Sequence, residues 1–435
     1  MDILQQLRAQ AEQVEIVHSK SEATSVDFEA NHFKTSKVEE TSGVAVRVVR
    51  NGRLGFSASS DLLSAWAQEK LLTNVLESAA FGEQIPLVFP APQPAPPVRA
   101  FDPAISELPV ARMVEIGQEI IDMILAAEPE AQVNASLNKA VRHQTIQNQA
   151  GTEVSFQCSP LSFLAEVTRI EGDDVLIMFD LLATTVWDED YSAFARRLVE
   201  KLRSARTITT LRTARMPVLF APNGALTLAL PLLEGVNGKN VFTGISPMLG
   251  KVGEKLFDDK ITFVDDGILD GGFGSAPYDG EGVPHRRNVL VERGVLKGFL
   301  YDLKTAAQSG VESTGNGSRG LFSPPIPAPT NLVLAAGDTP LSEIMAGIDE
   351  GLLVEDVLGL GQGNIISGAF SNPLNLAFKI EKGEIVGRVK NVSIAGNVYD
   401  LLKEVAAVSQ EAQWVYSTFY TPYLLIPEMN VAGKG

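Results

Sequence analysis

An α+β fold follows from glycine usage, hydrophobic periodicity and hairpin dipeptides. Seven of the 37 glycines fall in residues 1–215, which leaves thirty for residues 216–435. Glycine supplies the positive φ of tight turns, so the second half is predicted to be a turn-rich, mainly β domain. The first half instead alternates period-2 runs with period-3.6 stretches, which predicts an α/β region with a weak internal repeat of strands plus helix. The expected order is an N-terminal α/β domain over 1–84, a proline-rich linker over 85–104, a second α/β segment over 105–215 and a glycine-rich domain over 216–435.

Residues 13–58 open with short alternating runs (VEIVHS, TSVDFE, GVAVRVV) and turn at Asn51-Gly52, a type I′ hairpin signal. A helix is expected from Ser60 to about Ala80, capped by Ser59 or Ser60 and striped by Leu63, Trp66, Leu71 and Val75. The linker carries Pro86, Pro90, Pro92, Pro94, Pro96, Pro97 and Pro103, a composition that gives an extended tether rather than packed structure. A helix over about Val110 to Ala127 opens the second segment. Alternation over 131–182 then predicts strands, and Phe194, Leu198 and Leu202 mark a helix from about Asp190 to Ser204. In the second half, hairpins are expected at Arg293-Gly294 and Lys382-Gly383. Thr339-Pro340 reads as a helix start running to near Gly351, and another helix is expected from about Val398 to Ala407.

Composition narrows the function classes. With 45% hydrophobic and 20% charged residues the chain can bury a sizeable core. Its longest mid-chain apolar run, Ala225 to Leu233, is far short of the roughly 20 residues a bilayer span needs, so no membrane is expected as partner. The N-terminus lacks a basic stretch followed by an apolar block, and the single cysteine, Cys158, cannot form an intrachain disulfide. A cytoplasmic location is the expectation. A net charge of −17 repels polyanions, which argues against nucleic acid as a partner. Arg196, Arg197, Lys201, Arg203, Arg206, Arg212 and Arg215 form one locally basic run, read as the solvated face of a helix and a connecting strand.

Motif searches find no catalytic set. None of the four histidines is followed by glutamate, so His-Glu-x-x-His is absent. Gly238-Lys239 and Gly250-Lys251 lack the Ser/Thr of a phosphate loop, and the G-x-G-x-x-G of Gly315, Gly317 and Gly320 follows a helix rather than a strand. The acidic run Asp258, Asp259, Asp265, Asp266, Asp270, Asp279 and Glu281, with His285, fits no calcium loop and reads as turn chemistry. Cys158 alternates with Phe156 and has no basic neighbour in sequence, so it reads as a small buried hydrophobe rather than a nucleophile.

One resemblance goes further. The segments FDDKITFVDDG, YDGEGVPHRRNVLVERGVLKGFLYDLKTA, GVESTGNGSRG and TPYLLIPEMNVAG, with the GVAVRVVRNGRLGFSAS hairpin, resemble the TldD/PmbA family once labelled modulators of DNA gyrase. Glu281 and Gly282 stand in its D-E-G-V-P element, although here Gly280 separates Asp279 from Glu281. TldD-type chains carry His-Glu-x-x-x-His in a helix early in the C-terminal domain. Leu226, Thr227 and Pro231 occupy those positions here, and leucine and proline offer no donor to zinc. The resemblance therefore implies the PmbA/TldE type of subunit, with no catalytic or metal residue and no cofactor of its own. It implies zinc in a TldD-like partner, unfolded peptides as substrates, and a homodimer when the chain is alone. Two other readings stay open: a homodimeric peptide-binding protein without hydrolytic activity, and an independent hydrolase using Cys158 or the acidic run. For substrate contact the family-like loop residues Thr314, Gly315, Asn316 and Arg319 are the candidates, against the alternative that this loop only caps the helix ending near Gly310.

Overall fold

Period-2 patterning in the first half is realised as strands far longer than the short runs suggest. The structure, a computed structural model, describes residues 3–60, 64–188 and 190–433. Helix α1 (Ile3–Arg8) leads into β1 (Gln13–Glu29), β2 (His32–Arg50) and β3 (Arg53–Ser59). Helices α2 (Ala65–Phe81), α3 (Pro103–Ser106) and α4 (Val110–Ala127) follow, then β4 (Gln132–Asn148), β5 (Glu153–Cys158), β6 (Leu161–Glu171), β7 (Asp174–Thr184) and α5 (Ala193–Ser204). These seven strands form one antiparallel sheet in the order β3-β2-β1-β4-β6-β7, with β5 also paired to β4. Both strand sets of the first half thus share a sheet through the β1–β4 pairing.

The predicted turn at Asn51-Gly52 is present, with φ of 51° and 71°. One end of the sheet buries Val14, Ile16, Val44, Val46 and Val48 under Leu71 and Val75 of α2. The other end buries Val26, Phe28, Val133 and Leu137 against α4 and α5, where Phe194, Leu198 and Leu202 are buried as expected. The first of these helices begins later than predicted. Its cap is Ser64, whose side chain accepts from the Ala67 amide at 3.0 Å, and Ser59 instead ends β3. Trp66 is 67% exposed because Ala67, Leu71, Val75 and Ala79, four apart, are the residues that face the sheet. Leu63 lies outside the described residues. The proline-rich stretch is irregular and extended, but its start is packed: Ile85, Leu87 and Phe89 are buried beside Val49. The sheet end that α2 covers on one face needs a cover on the other, and these residues supply part of it.

The second half is built on β8 (Ile208–Thr209), β9 (Ala214–Phe220), α6 (Pro222–Val236) and α7 (Gly238–Phe242). Then come β10 (Phe263–Asp266), β11 (Arg287–Glu292), β12 (Val295–Leu296), α8 (Leu303–Ser309), β13 (Gly317–Ser318) and β14 (Ile326–Pro327). The chain continues through β15 (Leu332–Leu334), α9 (Leu341–Ala346), β16 (Glu350–Val357), β17 (Ala369–Glu381) and β18 (Glu384–Val389). It ends with β19 (Ser393–Asn397), α10 (Val398–Leu401), β20 (Ala407–Val415) and β21 (Phe419–Ala432). Apart from the β13–β14 pair these strands form one mixed sheet whose middle runs β15-β21-β9-β16-β17, and α6 packs on it inside the main apolar core.

Both predicted hairpins occur, at Arg293-Gly294 (φ 46° and 75°) and Lys382-Gly383 (φ 49° and 82°). Two helices are shorter than expected. Pro340 rather than Thr339 precedes α9, without a side-chain cap, and α9 stops at Ala346 because the chain must enter β16 between β9 and β17. α10 stops at Leu401 because Val405 turns into the core and Ala407 starts β20. No described helix is long and apolar enough to cross a membrane.

Candidate functional site

Where the two sheets meet, two loops of the second half, residues 279–285 and 313–319, reach the first sheet. Glu15 of β1 and Arg47 of β2 are directly opposite one another, each a lone charge in an apolar run, and both are buried. Arg47 donates through Nε to Glu15 Oε2 at 2.7 Å and through Nη1 to Glu281 Oε1 at 2.6 Å. Arg319 Nη1 donates to Glu15 Oε2 at 2.8 Å, and Glu281 Oε2 accepts from the Leu303 amide at the start of α8 at 2.7 Å. Two carboxylates and two guanidiniums thus compensate each other in the dry junction, which buried charge requires. Gly282, with φ of 77°, brings the loop beside Ile146 and Thr152.

The carboxyl groups here differ in their protonation. Burial raises Glu15, but the Arg47 and Arg319 guanidiniums outweigh it and hold the group below the usual carboxylate range. Burial pushes Glu281 up to about 7, since it faces one guanidinium while Asp302 and Glu15 repel its charge. Asp279 is raised well above its ordinary value by burial and by Glu281, although it accepts from the Glu281, Val283 and Gly317 amides at 2.8, 3.0 and 2.8 Å. Burial likewise pushes Asp265 up to about 6.

Behind the junction lies a cleft of about 360 Å³ between β4–β5 and these loops. Asn316, Arg319, Asp279, His285 and Cys158 line it; Thr314 and Gly315 do not. Asn316 is 1% exposed and spends its side chain internally: Nδ2 donates to Asp265 Oδ2 at 2.6 Å and to the Ala328 carbonyl at 3.1 Å, while Oδ1 accepts from Asn288 Nδ2 at 3.1 Å. The Thr314 hydroxyl accepts from the Tyr301 amide at 2.7 Å. Gly315 has φ of 73°, and a Cβ there would lie 2.5 Å from the Pro284 carbonyl; at Gly317 it would lie 2.3 Å from Glu281 Oε2. The guanidinium of Arg319 points into the charge cluster. The loop is therefore fastened by the side chains that sequence reasoning proposed for substrate.

The other candidates separate cleanly. Burial raises the Cys158 thiol to about 11 and lowers His285 to about 4, so neither is an activated nucleophile or a charged base at neutral pH. Asp258, Asp259 and Asp270 stand apart in turns, with Asp258 and Asp259 paired to lysines, and only Asp265, Asp279 and Glu281 of the acidic run are buried together with Asp266 alongside. Leu226, Thr227 and Pro231 lie on α6, buried in the apolar core, and none lines the cleft. Thr227 Oγ1 is a buried hydroxyl without a hydrogen-bond partner, and Pro231 sits inside the helix. Among the described residues no group of three His, Cys, Asp or Glu is placed to hold a metal ion. These three side chains do not fit zinc. Glu15 and Arg47 were missed; their signal was a lone charge between β-branched apolar residues in each of two strands, Val14 and Ile16 around Glu15 and Val46 and Val48 around Arg47.

Sequence profiles and fold together match one class of protein, the metallopeptidases of the PmbA/TldD family. The family's profile described as "PmbA/TldA metallopeptidase C-terminal domain" matches residues 213–433, and "PmbA/TldA metallopeptidase domain 1" matches residues 14–80. The chain belongs to this family. It is similar to TldE from Thermococcus kodakarensis, whose crystal structure superposes with a TM-score of 0.91 at 26% identity over 99% of each chain. It is also similar to a metalloprotease of Methanothermobacter thermautotrophicus, at 26% identity over 94% of this chain and 90% of that one. A metalloprotease TldD homolog of Haemophilus influenzae is 26% identical over 85% of this chain and 80% of its own.

Proposed function

We propose that this chain is the non-catalytic, PmbA/TldE-type subunit of a TldD-type metallopeptidase that acts on unfolded peptides in the cytoplasm. The observation that supports this most is α6, where Leu226, Thr227 and Pro231 stand in place of a metal-binding set and are packed into an apolar core. The metal, and zinc is the ion this reading expects, belongs to a TldD-like partner. In this reading the chain walls the peptide path, and the 313–319 loop presents its cleft-facing backbone to substrate while Thr314, Asn316 and Arg319 hold it in place. Backbone contact suits a peptidase of unfolded chains because it does not depend on a particular side-chain set. Co-purification from native lysate, followed by peptidase assays of the pair and of each chain alone, tests the proposal. Turnover by the pair and none by this chain alone is expected; turnover by this chain alone after dialysis against chelator overturns it.

The second reading, a homodimer that holds peptides without cutting them, has one observation in its favour. Residues 32–42 of β2 pair with β1 on one side, while among the described residues β3 pairs only with residues 44–50 of β2, and all eleven are exposed. A free strand edge of this length is a template for pairing with another chain.

A further inference from the structure

A second cleft, of about 630 Å³, opens where the end of β7 meets the second sheet. Its lining includes Trp187, Leu269, Trp414 and Tyr420, with the exposed residues Asp188 and Asp270 at its rim. Among the described residues no lysine, arginine or histidine lines it. Trp414 and Tyr420 are cross-strand partners on β20 and β21 with ring centroids 5.2 Å apart, and Trp187 is braced by Tyr191 at 5.9 Å. Asp270 is held by the Arg99 amide, which donates to its Oδ1 at 2.7 Å, and the Arg99 guanidinium is drawn off to Asp102 at 3.2 Å. Asp188 Oδ1 likewise accepts from a neighbouring amide, that of Asp190, at 2.9 Å, so both rim acids are fixed by backbone donors rather than by a cation lining the cleft.

Aromatic faces attract cations through the ring quadrupole, and this attraction grows as water is excluded. Carboxylates at the rim add Coulomb attraction, and the net charge of −17 raises the local concentration of cations over the whole surface. Anionic ligands are disfavoured by the same two acids. A long apolar stem ending in a cation matches both the aromatic walls and the acidic rim. We infer that the Trp187–Trp414–Tyr420 cleft is a binding subsite for the arginine or lysine side chain of an unfolded basic peptide. The inference rests on the peptide reading above and names its substrate class.

Tryptophan fluorescence reports on it directly, because two of the three tryptophans line the cleft and the third, Trp66, is removed by Trp66→Phe. The full chain carrying that change is titrated with Gly-Arg-Gly amide and with its neutral isostere, Gly-citrulline-Gly amide. Saturable quenching by the arginine peptide is expected, with the citrulline peptide about tenfold weaker. Asp188→Asn with Asp270→Asn should weaken arginine binding about fivefold while the melting temperature holds, and Trp414→Leu should weaken both peptides. Equal binding of the two peptides, or an affinity unmoved by the double Asp→Asn change, overturns the inference. The peptidase reading fails separately: a reconstituted pair that cleaves neutral unfolded peptides as well as basic ones keeps that reading and removes this one. A pair that cleaves no peptide while Gly-Arg-Gly amide binds does the reverse.

Discussion

Glu281 is where family resemblance and physical chemistry meet in one residue. It bonds Arg47 of the first sheet and the N-terminus of α8, so it joins both halves of the chain. A carboxyl whose folded pKa is raised binds its proton more tightly when folded, so it contributes stability that is present below its unfolded pKa and lost as pH rises through the folded one. For Glu281 that loss runs from its ordinary value of 4.5 up through about 7 and levels off above it. His285, lowered to about 4, has the opposite sign but acts below its ordinary value of 6.5. Raising the pH from about 6.5 to about 8 is therefore expected to lower the melting temperature, and Glu281→Gln should flatten that slope. A wild-type melting temperature that is flat or rises over this interval contradicts the assignment. Asn316 and Arg319 make the same kind of prediction about the loop. Because Asn316 Nδ2 donates to Asp265 and Arg319 Nη1 donates to Glu15 inside the protein, Asn316→Ala with Arg319→Ala leaves Asp265 and Glu15 short of donors, at about 1–3 kcal/mol for each unpaired group. Denaturant unfolding should show that loss. Unchanged stability with weakened peptide turnover would instead make both side chains direct substrate contacts.

At the scale of single elements, β2 carries the most informative pattern. Its exposed stretch reads HFKTSKVEETS, basic at Lys34 and Lys37 and acidic at Glu39 and Glu40. An antiparallel pairing of this edge with its own copy, centred on Val38, sets Lys37 opposite Glu39 twice, Thr35 opposite Thr41 twice, and Val38 on Val38. Such cross-strand pairs stabilise by about 0.2–1 kcal/mol each, and like charges opposite one another destabilise. If the lone chain dimerises through this edge, Lys37→Glu should give a 46.7 kDa monomer by light scattering at micromolar concentration, and Lys37→Glu with Glu39→Lys should restore the dimer. Failure of the double change to restore it removes this edge as the interface. Elsewhere local chemistry was readable: Asn51-Gly52, Arg293-Gly294 and Lys382-Gly383 turn as their dipeptides demand. Helix ends were less so, because α9 and α10 are cut short by strands that pair with distant partners.

Across the whole molecule, charge looks different folded than it does along the chain. Arg196, Arg197, Lys201, Arg206, Arg212 and Arg215 meet Asp190, Asp180, Glu355, Glu128, Glu350 and Glu428. Six of the seven cations of the basic run thus meet acids from five other elements or turns, which leaves little positive field for a polyanion. For the α6 core, elemental analysis after dialysis should find no stoichiometric zinc in the isolated chain; one tightly held zinc per chain would require a donor set other than Leu226, Thr227 and Pro231.

Sequence by itself determined the α+β class, the hairpins, the helices Val110–Ala127 and Ala193–Ser204 in close outline, and the family through motifs that survive as contiguous words. All of these depend on residues near one another in the chain, where turn dihedrals and side-chain periodicity act directly. Tertiary structure alone decided that Glu15, Arg47, Glu281 and Arg319 form one buried cluster, since Arg47 and Glu281 are 234 residues apart. It also decided that the proline-rich start at Ile85, Leu87 and Phe89 is a packed cover, and that Trp187 and Trp414 share a cleft. Which charges lose water, and which partners replace it, depends on the chain's closure over distances that no local pattern encodes.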